Sequence, residues 1–396
     1  MTRWHDVDSA VAAVRGAAPV AASGLFGADR VHEVVLAIDD AAFAQAVATY
    51  RDTGDKAWLE VDVTLDGTTY ERCGVRLKGN STLRRLEADA GPEAYPWLIR
   101  LDRVVDGQEH HGVTEVVLRA NNSASSLNEA VALDLLSAAG LASQDHGYAA
   151  VRVGDASVLR LVLEHPGDTW ADRALPGDGI LYKAEATGDY TYRGTDPASY
   201  DEVFDQESGE TDDLAPLIEF LRFVDESTDA EFEAGLPERL DVEAFATYLA
   251  LEDLMDNYDA IDGPGNNSCL WWDATAGRMT VVAWDHNLTF GVSNRPGGQG
   301  AGQGRQAQGG AAPQGGGGRG PGGRAANPLV TRFEAVPAFA TLVAQASTRL
   351  RTDLFTGGVA ATSLRAWSTL LAQEADGLVD AATLEEERAA ITAYLD

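Results

Sequence analysis

Asp262, Asn267 and Asp285 are the residues whose types and spacing could do chemistry. They fall within residues 260–291, AIDGPGNNSCLWWDATAGRMTVVAWDHNLTFG. Phosphoryl transfer from a nucleotide needs an Asp to accept the proton of the attacking hydroxyl, an Asn to hold one metal ion, and a later Asp to bridge metal and phosphates. Asp262 and Asn267 have the D-x-x-x-x-N spacing, and Asp285 follows one hairpin later with Phe290-Gly291 close behind. The spacing alone recurs by chance, and WDHN also suits a capped turn, but the three together in this order point to that chemistry. Asp256 and Asp259 compete with Asp262 as the base, although neither lies five residues before Asn267.

The elements that must position these groups are legible around them. Gly263, Pro264 and Gly265 make the preceding segment a loop. Strand patterns at 268–272 and 278–284, joined by a turn, would bury Leu270, Trp271, Val281 and Val282 and hold the three polar residues at one rim. Val242, Phe245, Ala246 and Leu249 keep a helical period and deliver the chain into the loop. Upstream, strands are expected at 31–38, 97–101, 115–119, 148–153, 158–164 and 180–184, with a hairpin around Asp66-Gly67 that ends at Lys78-Gly79-Asn80. A lysine leaving a strand beside small residues can meet an anion, and it is equally an ordinary strand exit. Ser126-Leu-Asn-Glu129 reads as a capping box opening a helix that Gly140 stops. Residues 190–213 read as a polar, acidic loop, and the region after 214 is mainly helical.

These segments resemble the catalytic core of the CotH-type atypical protein kinases, first known from spore coats. Besides IDGPGNN…WDHNLTFG, the resemblance rests on GVRLKGNST, YPWLIRLDRVVDGQEHHG, SSLNEAVALDLLSAAGL, ILYKA and NPLVTRF, in that order, and covers roughly residues 30–355. It implies an α+β, bilobal, protein-kinase-like fold: an extension at 1–30, a strand-rich N-lobe at 31–185, and a helical C-lobe at 186–396. It also implies ATP and Mg²⁺ or Mn²⁺ as cofactors, Asp262 as catalytic base, and Asn267 and Asp285 as metal ligands. Lys78, Asn80, Glu129 and Lys183 would then contact or brace the nucleotide. Glu129 is a candidate to steady Lys78 or only to cap its helix; Lys183 is a second phosphate or adenine contact or a plain surface lysine. Two departures stand out: Asn287 replaces a second acid, and Asn266 replaces a histidine before Asn267. They leave adenylylation or glutamylation on the same fold as alternatives to phosphorylation, alongside a non-catalytic envelope or coat binding module.

Composition bounds the partners. The 396 residues carry 62 acidic and 30 basic side chains, a net charge of −32. Nucleic acid or an anionic membrane would need a clustered basic surface, so neither is expected as the main partner. A basic, Ser/Thr-rich protein substrate is favoured instead. No stretch approaches the ~18 apolar residues of a membrane span. The N-terminus shows no signal-peptide core, which fits a cytoplasmic chain or one whose leader has been removed. Cys73 and Cys269 sit in apolar strand patterns and are expected as buried free thiols. The seven histidines show no zinc spacing, and no nucleophile elbow or Walker lysine occurs. Residues 292–326 form a Gly-rich, Arg-bearing insert with too little apolar content to fold.

Overall fold

Seven strands close into a barrel in the computed structural model, which describes residues 24–79, 81–87, 89–185, 188–209, 213–263, 266–292 and 327–395. The strands are β1 (Val31–Leu36), β2 (Leu59–Leu65), β3 (Thr68–Leu77), β4 (Trp97–Arg100), β5 (Glu115–Leu118), β6 (His146–Val153) and β7 (Ala156–Glu164). The ring runs β1-β2-β3-β4-β5-β7-β6, with β6 parallel to β1 and all other neighbours antiparallel. Helix α1 (Asp40–Thr53) joins β1 to β2, and the short α2 (Ser81–Arg85) follows β3.

The period-2 alternation of these strands sorts their residues between two cores. Trp97 and Ile99 of β4 and Val116 and Leu118 of β5 point into the barrel with Val34, Val63, Leu65 and Val75. Leu98 and Val117 point outward with Tyr148, Leu161 and Leu163, against helix α3 (Leu127–Ala138). Leu25 and Phe26 are buried in the barrel cluster, and Gly27 donates to the His146 carbonyl. Residues 24–27 are therefore fixed to the barrel, where a loosely attached extension was expected; residues 1–23 lie outside the described residues.

The chain then passes through α4 (Asp168–Ala174) into a separate four-stranded antiparallel sheet. Its strands are β8 (Gly179–Ala184), β9 (Phe204–Ser208), β10 (Ser268–Asp273) and β11 (Arg278–Ala283), in the order β11-β10-β8-β9. β9 corrects the expected loop at 190–213. FDQES looks polar because it is an edge strand with one face on charges, while Phe204 and the flanking Tyr190, Tyr200 and Val203 are buried.

Helices α5 (Ala215–Glu226), α6 (Asp229–Gly235), α7 (Val242–Leu254) and α8 (Pro328–Ala335) cover one face of this sheet, and α9 (Pro337–Leu350), α10 (Val359–Glu374) and α11 (Ala381–Leu395) extend to α3. Helix α7 belongs to both cores: Phe245 and Tyr248 pack with the sheet, Leu251 and Leu254 with α3. A helix with apolar residues around most of its circumference must be buried on most sides, and in α7 Glu243 and Asp253 alone are exposed. Both cysteines are free and buried, as expected; burial pushes the Cys73 thiol up to about 11.

Candidate active site

The β10–β11 hairpin forms with the expected turn, and its ladder ends with Ser268 opposite Ala283. Asn267 and Asp285 therefore leave the hairpin at the same end. Asp285 takes a left-handed backbone (φ 57°), a conformation that Asp tolerates better than most side chains and that marks functional turns. The turn is held to α3 by Asn128, whose Nδ2 donates to the Asn287 carbonyl at 3.0 Å.

Glu129 does not meet Lys78. Its carboxylate receives a fork from Arg119, with Nε to Oε2 at 3.1 Å and Nη2 to Oε1 at 2.6 Å, and the same Nη2 donates to Asp285 Oδ1. The three side chains are in register because β5 ends one residue before Arg119 and α3 starts two residues before Glu129. Burial works against the guanidinium charge, but Asp285 and Glu129 outweigh it and raise the Arg119 pKa. Burial likewise raises Glu129, against the pull of Arg119. The expected Ser126–Glu129 capping box is absent. Ser126 is left-handed and makes no cap, because Glu129 is drawn into the buried ion pair. Leu127 N donates instead to Ser125 Oγ at 3.2 Å, and Glu387 of α11 holds the loop ahead of the helix, accepting from Ala124 N at 2.6 Å, from Ser125 N at 3.2 Å and from the Ser125 hydroxyl.

The residue after Asp285 ties the hairpin to the preceding loop. His286 Nε2 lies 2.9 Å from Glu252 Oε1, and Glu252 Oε2 accepts from Asn257 Nδ2 at 2.7 Å. Burial disfavours charge on His286, yet Glu252, Glu129 and Asp285 together raise its pKa. Asn257 Oδ1 then accepts from Asp259 N at 3.3 Å. Asn267 donates to Asp259 twice, from its backbone N to the carbonyl and from Nδ2 to Oδ2, each at 3.2 Å. Asp262 is exposed on the same loop, just past Ile261, whose amide donates to Tyr248 Oη at 3.2 Å. The structure thus brings Asp259 into hydrogen-bond contact with Asn267 and leaves Asp262 open to solvent.

Lys78 reaches the same end from the barrel. Its ammonium lies 5.9 Å above the Trp284 ring, next to Asp285 in sequence, and 3.2 Å from His165 Nε2. His165 Nδ1 faces Glu115 Oε2 at 2.9 Å, so His165 with Glu115 occupies the bracing position expected of Glu129. Burial lowers the Lys78 pKa, and Lys183, Arg76 and Arg119 add to this against the attraction of Glu207. Lys183, opposite Cys269 in the ladder, is half-buried and paired with Glu185, with Glu207 at 3.7 Å and Asp205 at 3.9 Å. These acids overcome the cost of burial and raise its pKa. Lys56, between α1 and β2, is lowered to about 8 by burial and then by Lys78, Lys183 and Arg76. Asn80 lies outside the described residues. Arg119, His165 and Glu207 were not singled out from the sequence; a charged residue ending the apolar EVVL run was the available signal for Arg119.

Comparison with known proteins decides the family. The family described as CotH kinase protein matches residues 75–389. The chain belongs to the CotH kinase family. The matched span opens inside β3 and takes in Lys78, Arg119, Glu129, Lys183, Asp259, Asp262, Asn267 and Asp285. No curated protein matches the chain. The family relationship suggests a kinase-like activity using ATP and a divalent metal. Among the described residues no group of three or more His, Cys, Asp or Glu side chains is placed to hold a metal ion. A phosphate-linked Mg²⁺ asks for less: one or two protein oxygens, completed by phosphate and water. Asp285 Oδ2 and Asn267 Oδ1 fit that need. The first is left over when Oδ1 meets Arg119, and the second when Nδ2 donates to Asp259. No helix among the described residues is long and apolar enough to cross a membrane.

Proposed function

We propose that this CotH-family chain is a protein kinase that transfers the γ-phosphate of ATP to Ser or Thr of a protein substrate. The observation that carries this reading is the convergence of Asn267, Asp285 and Lys78 at one end of the β10–β11 hairpin. On this reading the barrel and the four-stranded sheet with its helices form two lobes around that convergence, which moves β8 (Gly179–Ala184) out of the N-lobe expected at 31–185.

Asn267 and Asp285 would hold Mg²⁺ or Mn²⁺, which when bound neutralises phosphate charge and orients the transferred group. Lys78, braced by His165, neutralises a phosphate oxygen, and Lys183 on β8 is a second candidate phosphate or adenine contact. Asp262 is the base by spacing and is open to a substrate hydroxyl. Asp259 is the base by geometry, since it is hydrogen-bonded to Asn267. Most of the acceleration then comes from positioning and charge neutralisation. The acidic surface would steer a basic segment of the substrate toward the site.

The test is incubation with Mg²⁺ or Mn²⁺ and ATP labelled on either the γ-phosphate or the adenosine, beside Asp285→Ala, Asp259→Asn and Asp262→Asn. Expected is γ-label in protein and a loss of roughly a hundredfold or more in Asp285→Ala. Whichever of Asp259→Asn and Asp262→Asn loses kcat with KM for ATP intact identifies the base. Adenosine label, or a glutamate-sized mass increase when glutamate is supplied, replaces the reaction with adenylylation or glutamylation on the same site. Failure to bind ATP with either metal overturns the reading in favour of a binding module.

A further inference from the structure

Arg119 has a use beyond neutralising two carboxylates. Its Nε and Nη2 edge is held bidentately by Glu129, a buried acid on a helix whose own position is locked by Asn128 and Glu387. Its other edge is not committed: Nη1 has no hydrogen-bond partner among the described residues and is not among the buried unsatisfied atoms. The side chain keeps 18% exposure, although its two partners and its strand are packed around it. A guanidinium anchored on one edge and open on the other is arranged for bidentate or forked contact with an anion. Nη2, which the open edge shares, already meets Asp285, and the Arg119 charge is among those that lower the Lys78 pKa. Arg119 thus touches the carboxylate that the preceding proposal gives to the metal, and Lys78 lies over the ring of the adjoining Trp284.

Resting on that reading, we propose that Arg119, held in place by Glu129, is a ligand for the nucleotide's phosphates, with its Nη1 edge and the Nη2 hydrogen now given to Asp285 turned onto phosphate oxygen. The Lys–Glu pair that a kinase uses to grip the phosphates is thereby divided. Glu129 braces an arginine, while Lys78 is braced separately by His165 and Glu115. In the chain without nucleotide, Arg119 spares Asp285 an uncompensated charge; with nucleotide present, Asp285 is free to turn to the metal. No covalent step is involved, only an exchange of hydrogen-bond acceptors on one guanidinium.

Equilibrium binding separates this from a purely structural ion pair. Isothermal titration of the full chain with ATP, ADP, AMP and adenosine, each with and without Mg²⁺, would be run on wild type, Arg119→Lys, Arg119→Met and the double variant Arg119→Met/Glu129→Gln. The double variant removes the buried acid that Arg119→Met alone would strand, so it remains informative if the single variant does not fold. Expected is a loss of about tenfold to a hundredfold in ATP and ADP affinity in the Met variants, the scale of charge-assisted hydrogen bonds. Adenosine affinity stays unchanged, and Arg119→Lys recovers only part of the loss because it keeps the charge without the fork. Equal ATP affinity in wild type and the folded double variant overturns the proposal while leaving the kinase reading intact. A parallel loss for adenosine also overturns it, by showing that the pair only holds the fold. Absence of ATP binding by wild type itself fails the kinase reading first and takes this proposal with it.

Discussion

The barrel and the four-stranded sheet are both antiparallel, or nearly so, and both bury alternate residues, yet they carry charge in opposite ways. The barrel has no edge, and its interior is a continuous apolar filling from Leu25 to Val162. It offers the site a few groups at strand ends: Lys78 after β3, Glu115 at the start of β5 and Arg119 after it, and His165 after β7. The sheet is open at β9 and β11 and places Lys183, Asp205 and Glu207 within its strands, with Asn267 and Asp285 at its rim. The contrast teaches that a closed barrel confines its charges to strand ends, whereas an open sheet carries them along its strands. The candidate site sits where barrel strand ends meet the sheet rim.

That contrast can be broken most forcefully from the barrel side. Trp97 is buried, and its Nε1 donates to the Pro92 carbonyl at 2.9 Å, so Trp97→Ala removes both a large apolar volume and a hydrogen bond. A loss of about 3–5 kcal/mol in denaturant unfolding is expected. ATP affinity measured well below the midpoint should be unchanged; a matching loss of affinity would show that the barrel interior is part of the site.

A smaller effect belongs to the barrel where it faces the sheet. Burial and the neighbouring Lys78, Lys183 and Arg76 lower the Lys56 pKa to about 8, so its positive charge is present below that pH and lost above it. ATP affinity should fall by up to about tenfold as pH rises from 7 to 9, the scale of one charge–phosphate contact. Lys56→Arg, which stays charged, should flatten that profile. A wild-type profile with no inflection near pH 8 would remove Lys56 from the site.

The smallest effect belongs to Asp205, raised to about 6 by burial and by the hydrogen bond shared with Glu185, against the pull of Lys183. With its folded pKa above the unfolded value of 3.8, its contribution is fully present below 3.8 and is lost as pH rises through about 6. Asp205→Asn should therefore stabilise above pH 6 and not below pH 4. Its side chain is 56% exposed, so solvent screening holds the gain to about 1 kcal/mol or less. Thermal melts across that range would test the sign, and a gain at low pH would contradict it.

Much of the scaffold was legible because it is written in local periods. The hairpin around Asp66-Gly67, the strands at 148–153 and 158–164 and the turn after Asp273 match strand pairs, and the helices over 127–138 and 242–254 follow apolar spacing. What could not be read were partners. Glu129, expected to steady Lys78 or to cap its own helix, does neither: its partner Arg119 belongs to the barrel, and Arg119's other partner lies 166 residues further on. No local pattern encodes such a contact. The same holds for the competition between Asp259 and Asp262: spacing favours the second, while a loop that folds back brings the first to Asn267. β9 escaped because an edge strand with charged residues has the composition of a loop. Asn80 and residues 293–326 of the Gly-rich insert lie outside the described residues.

The carboxylate of Glu387 that closes the start of α3 lies 262 residues beyond Ser125. At synthesis rates of roughly 5–20 residues per second, about 10 to 50 seconds separate the emergence of Ser125 from that of its carboxylate acceptor. The last barrel strand, β7, is synthesised well before then, so the loop ahead of α3 is completed late in biogenesis, after the scaffold on which it sits.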